Sequence, residues 1–244
     1  MKWLLGLQRT GFEIALHNAA PATSNRETTQ WALERFRQLF GGHHILFCNH
    51  TGCRENIYWG DARLSGWRRT VYNLATCGKR RDISRGHVAG DPLFWGDLCR
   101  EHVRYARNFV FDDLNALAIC PELPYHDPGR SFVNFWFPSA DGGNLKRFLA
   151  NFTTDKLDRL EAEGGVCIAY VHFAAGFAEN GVVNPEFRKR MEHLSTLNGW
   201  FATASEVLEH LRGSASIKDR IIAPNRLSQL ERKWLLEKLL KGTT

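Results

Sequence analysis

The chain lacks any apolar run near the roughly 18–20 residues that cross a bilayer, so no transmembrane helix is expected. Its first ten residues hold only Trp3, Leu4, Leu5, Gly6 and Leu7 as an apolar stretch, ended by Gln8 and Arg9. That is shorter than the roughly 7–15 residues of a signal-peptide core, which points to a cytoplasmic product. The six cysteines form no C-x-x-C pair, which argues against a zinc ribbon or a dithiol redox site. The segment Cys48-Asn-His50-Thr-Gly-Cys53 has two thiols and an imidazole but no matching second pair, and Cys48 and Cys167 read as small core residues. No G-x-G-x-x-G or Walker loop is present, which disfavours a nucleotide-binding doubly wound sheet. Low-complexity tracts and internal repeats are absent too.

What is present suits a globular chain. Its 244 residues are 43% hydrophobic and 24% charged, with sixteen Phe, eight Trp and five Tyr, far too aromatic for a disordered chain. The net charge of +6 gives a mild preference for anionic partners. Its densest basic stretches, Arg68-Arg69 and Lys79-Arg80-Arg81 with Arg85, have no interleaved aromatics and read as solvated loop, so nucleic acid is not an expected partner.

Apolar runs at 12–17, 44–50, 108–111, 131–137, 166–173 and 200–203 predict strands. Helices are predicted from a Ser24–Glu27 capping box to Phe40, and over about 62–75, 95–106, 145–163, 185–198, 205–211 and 226–240. Asn184-Pro185-Glu186 supplies a cap, a first-position proline and a first-turn acid. Strand–helix alternation with continuously apolar strands predicts an α/β fold, a distorted (β/α) barrel of parallel strands. The expected division is a barrel domain over 1–213, then a linker and amphipathic C-terminal helix over 214–244. That helix carries leucines on more than one face: either they all pack within the chain, or one face meets a second subunit in a homo-oligomer.

Three predicted strands end in histidine: His17, His50 and His172. In parallel barrels the C-terminal strand ends converge on the active site, and imidazoles there bind divalent metals or move protons near neutral pH. Asp112-Asp113 ends a further strand, and Asn134 and Trp136 lie near the end of another.

Gly11-Phe-Glu-Ile-Ala-Leu-His17-Asn18 resembles the G-x-E-I-G-x-H-[ST] strand of the polysaccharide deacetylase superfamily, which delivers a metal-binding histidine. Ala169-Tyr-Val-His172-Phe is similar to that family's late strand, whose histidine is the catalytic acid. Asn198-Gly-Trp200-Phe201, through Ser205 to Leu211, resembles its closing strand and helix. The resemblance implies metal-assisted hydrolysis of an N- or O-acetyl group on a carbohydrate, using a divalent ion such as zinc. It implies His17 as a metal ligand and His172 as proton donor to the leaving group. His50 or Asp61 would complete the ligands, and Asn18, Asp61, His126, Asp127, Asn134 and Trp136 would face the substrate.

In this family a second histidine follows the first within about four residues, and an aspartate pair ends the preceding strand. Neither is found here: Asn18-Ala-Ala-Pro-Ala22 follows His17, and no aspartate lies before it. The expectation is a barrel opened at its first strand, whose exposed strand edges would lower its solubility or stability. It would be either a hydrolase or a non-catalytic relative that binds a glycan or protein partner.

Overall fold

The computed structural model describes residues 1–41, 45–214 and 220–242. Their sheet has four strands in the order β1-β2-β3-β4: Ile45–Phe47, Val103–Phe111, Phe135–Gly142 and Ala169–Val171. β1 pairs with β2 in parallel, as does β3 with β4. The α/β class and the parallel pairing agree with the sequence. All of β2 except Arg104 is buried, as expected of an interior parallel strand covered on both faces. The helices are α1 (Lys2–Arg9), α2 (Arg26–Phe40), α3 (Gly66–Ala75), α4 (Gly96–His102), α5 (Ala116–Ile119), α6 (Leu145–Asn151), α7 (Thr154–Ala162), α8 (Pro185–Thr196), α9 (Ala204–Ser214) and α10 (Pro224–Lys241). No helix among the described residues is long and apolar enough to cross a membrane.

Several predicted elements are redrawn. The run 12–17 is no ladder strand: it makes a single parallel bridge, Leu16 to Phe47, and Phe12 stays exposed. His44, the predicted start of the second strand, lies outside the described residues. The helix predicted over 95–106 stops at His102, where Val103 begins the long, β-branched and aromatic run of β2. Ser131–Asn134 is turn, and β3 instead runs on to Gly142. The helix predicted over 145–163 breaks at Phe152, because the Thr153 hydroxyl accepts from Lys156 N–H and starts α7 afresh. The α2 cap is Asn25, not Ser24: the Asn25 side chain accepts from Thr28 N–H at 2.9 Å. Trp200 and Phe201 are more than 60% exposed, so that apolar run is not a buried strand. An unforeseen antiparallel hairpin joins β5 (Ala178–Glu179) to β6 (Val182–Val183). Asn180 and Gly181 at its tip both have positive φ, as a two-residue type I′ turn requires.

The chain forms two compact units. The first comprises Met1–Asn108, Pro124–Phe137 and Thr203–Arg232; the second comprises Phe109–Leu123, Pro138–Ala202 and Lys233–Thr244. In the first, Phe47 and Trp95 meet edge to face at 5.3 Å, and Leu33, Ile57, Tyr105 and Tyr125 are also buried. In the second, Leu114, Ala140, Phe148, Phe152, Leu157 and Phe177 form the core, flanked by apolar residues of α6, α7 and α8. Phe148 stacks on Phe152 with ring centroids 4.3 Å apart. On α10, Leu230, Trp234 and Leu235 are buried, whereas Leu236, Leu239 and Leu240 are exposed. All six cysteines are free thiols, and of these only Cys77 is exposed.

Candidate functional site

His17 and His50 come together in the first unit. Leu16 donates its N–H to Leu46 and accepts from Cys48 N–H, so the chain leaves this bridge with His17 beside the residues that follow β1. The imidazoles of His17 and His50 meet edge to face with centroids 4.8 Å apart. His17 Nδ1 lies 2.8 Å from the Cys48 carbonyl. A carbonyl only accepts, so Nδ1 carries the hydrogen and the ring lone pair is on Nε2.

Asn18, the next residue, takes a left-handed backbone (φ 59°) that asparagine tolerates. Its side-chain oxygen accepts from His50 N–H at 3.0 Å. Its Nδ2 donates to Glu55 Oε1 at 2.9 Å and to Asn56 Oδ1 at 3.0 Å. Asn56 in turn donates to the His50 carbonyl at 2.8 Å. Cys53 Sγ lies 3.6 Å from His50 Nδ1. Burial, and then Glu55, pushes this thiol up to about 11, so it stays protonated at neutral pH.

The remaining predicted residues have other surroundings. Asp61 is fully buried, and its carboxylate accepts from Arg69 Nε and Asn73 Nδ2 of α3 and from Asp82 N–H, so it works as a structural anion that ties α3 to the segment after it. Trp136 is also fully buried, packed edge to face against Tyr58, and is core rather than cleft wall. Asn134 donates to the carbonyls of Arg100 and Val103 and thereby ties the end of α4 to β2. His126 Nδ1 bonds the Asn134 carbonyl, and its backbone pairs with Arg220 and Ile222. His172 is exposed in the second unit, with Nε2 3.2 Å from the Tyr170 hydroxyl.

Asp127 does line an open space, a cavity of about 800 Å³ in the first unit. This cavity is within the range of small-molecule sites, and sequence reasoning missed it. One wall is the Tyr58–His87 pair, rings 4.2 Å apart, with Tyr58 N–H donating to His87 Nδ1. Tyr58 is held at φ 46°, unusual for a bulky residue. A buried ionic chain starts in the cavity wall. Arg130 pairs with Asp127 at 2.5 Å and with Glu231 at 3.0 Å, and Glu231 also receives Arg68 and Ser65.

Burial, aided by Arg130, Arg69 and Arg85, pushes the His87 imidazole down to about 4, against a hydrogen bond to the Asn56 backbone. Its ordinary value is 6.5, so between about pH 6.5 and 4 the unfolded chain takes up a proton that the folded chain refuses. The stability linked to His87 is full above that window and is lost as pH falls through it, by roughly 3 kcal/mol. Melting temperature followed from pH 7 to 4 checks this: the wild-type chain should fall more steeply than His87→Gln.

The donor set near His17 supplies two imidazoles. Nδ1 of His17 held by a carbonyl is the arrangement usual for a ligating histidine. Among the described residues no group of three His, Cys, Asp or Glu could hold an ion, so these residues fit two ligands of a weakly held metal and not a closed zinc site. Comparison of the chain with family models, curated proteins and solved structures finds no match.

Proposed function

We propose that the chain is a carbohydrate-directed hydrolase of the polysaccharide deacetylase type, on an incomplete (β/α) barrel, releasing acetyl from a sugar amine or hydroxyl. The observation that carries this reading is the side-by-side placement of His17 and His50, brought from distant parts of the sequence to the end of β1. In this reading the two imidazoles would hold the divalent ion, which when bound supplies polarisation of the acetyl carbonyl. The chain's own contribution is orientation. The Cys48 carbonyl fixes the His17 tautomer, and Asn18 and Asn56 hold the backbone of His50 on both its polar groups. The role of proton donor that the resemblance gives to His172 is not built into this reading, because His172 lies in the second unit, beside the Tyr170 hydroxyl. The exposed leucines of α10 would carry a self-association contact.

The test is acetate release from an acetylated oligosaccharide, with and without added zinc or cobalt. The proposal expects metal-dependent release that falls at least about 100-fold in His17→Ala and His50→Ala. No release with any metal overturns it. Binding of the oligosaccharide without release is the result expected of a non-catalytic glycan-binding relative, and it also overturns hydrolysis.

A further inference from the structure

We propose that Glu55 is a positioning residue, which sets the direction of the Asn18 and Asn56 side-chain amides and thereby clamps His50 beside His17. Glu55 is 1% exposed and takes part in no ion pair among the described residues; its Oε1 accepts from Asn18 Nδ2, and the Cys53 thiol is its other polar neighbour. Burying a carboxylate on so few bonds is costly, and a neutral side chain of similar size would fill the space at less cost.

The carboxylate contributes what a neutral group cannot. An ionised carboxylate only accepts, whereas an amide presents a donor on one side and an acceptor on the other. Facing Glu55, Asn18 must point its Nδ2 inward. Its Oδ1 is then forced outward, where it accepts from His50 N–H. The same Nδ2 donates to Asn56 Oδ1. That contact fixes the second amide, whose Nδ2 is left to donate to the His50 carbonyl. One acceptor-only group thus determines the sense of four hydrogen bonds, and two of them end on the backbone of His50. The segment is braced from behind: Asn49 exchanges two hydrogen bonds with the backbone of Ile57, and Trp95 Nε1 donates to the Glu55 carbonyl at 2.6 Å. Because Asn18 directly follows His17, the clamp spans the imidazole pair. The importance of the clamp rests on reading His17 and His50 as the working pair, but its geometry does not.

The experiment is nuclear magnetic resonance on the full chain, comparing wild type, Glu55→Gln and Asn56→Ala. In the wild-type chain a cross-peak between ring protons of His17 and His50 is expected, together with a slowly exchanging His50 amide. Glu55→Gln keeps the volume but restores a donor, so both amides can turn over. The His50 amide should then exchange at least tenfold faster and the ring cross-peak fall by half or more, with the other amides of the first unit unchanged. Asn56→Ala removes one arm and should produce the same signature independently, which keeps the test decisive if one variant fails to fold. A wild-type chain without the cross-peak, or variants in which cross-peak and exchange are unaltered, overturns the clamp. Both signatures in a chain that releases no acetate uphold the clamp and overturn the hydrolase reading. Acetate release with unaltered signatures does the reverse.

Discussion

Replacing Glu231 with alanine is expected to cost about 3–5 kcal/mol of stability, the range for removing one member of a buried charge network. Glu231 has no exposure, and Ser65, Arg68 and Arg130 all donate to its carboxylate. Arg68 Nε approaches to 2.6 Å, Arg130 Nη2 to 3.0 Å, and Ser65 gives both its N–H and its hydroxyl. Removing the carboxylate leaves two guanidinium groups facing one another, of which Arg130 is 6% exposed and keeps only Asp127 as its anion. The loss therefore has less to do with the attraction that disappears than with the buried charge that remains. Glu231→Gln should fall between wild type and alanine, because it keeps an acceptor and the shape. Urea denaturation of the three chains measures both steps. A loss under about 1 kcal/mol for alanine would show that Arg130 is fully compensated by Asp127 and the carbonyls of Ala62 and Arg63, to which it also donates.

The second large effect is expected in the other unit. Phe148→Ala should cost about 3–5 kcal/mol, the usual range for deleting a buried aromatic ring. Its ring stacks on Phe152 and meets Phe177 at 5.5 Å and Phe187 at 5.2 Å, both edge to face, so one truncation removes three ring contacts. Gly142 lies below it: a Cβ added there would come within 3.0 Å of the Phe148 ring, which shows how little room surrounds the cluster. Phe148→Leu should recover about half of the loss by filling part of the cavity. Calorimetry on both variants checks the order, and equal losses would mean that the site collapses around either side chain.

Local chemistry is what the sequence made legible. Asn184-Pro185-Glu186 starts α8 as read, because a cap, a proline and an acid act within one turn. The Asn180-Gly181 hairpin was equally local but stood inside an otherwise featureless stretch. The division between α4 and β2 was not legible, since residues 95–106 are helical by pattern and only burial of Val103 and Tyr105 in the first unit decides where the strand begins. His17 and His50 could be picked as strand-end histidines and Asn18 as a site residue, but not that the Asn18 side chain would hold the backbone of His50. Glu55 and Asn56 gave no signal, because a short polar run after a turn reads as solvated loop, and here its side chains are among the most buried in the unit. Asp61 and Trp136 misled for the opposite reason. An acid and an aromatic near strand ends read as site residues, yet hydrogen-bond saturation in one case and complete burial in the other give them to the scaffold.

The distribution of thiols sets how the chain behaves at the bench. Five of the six are buried or half-buried, and Cys77 alone stands out on the surface, in a left-handed turn before Gly78. A maleimide dye would therefore attach at one place without mutagenesis, and in air two copies would couple through that same atom. A covalent dimer on a non-reducing gel would consequently report storage conditions, and the leucines of α10 should be judged only on a Cys77→Ser background.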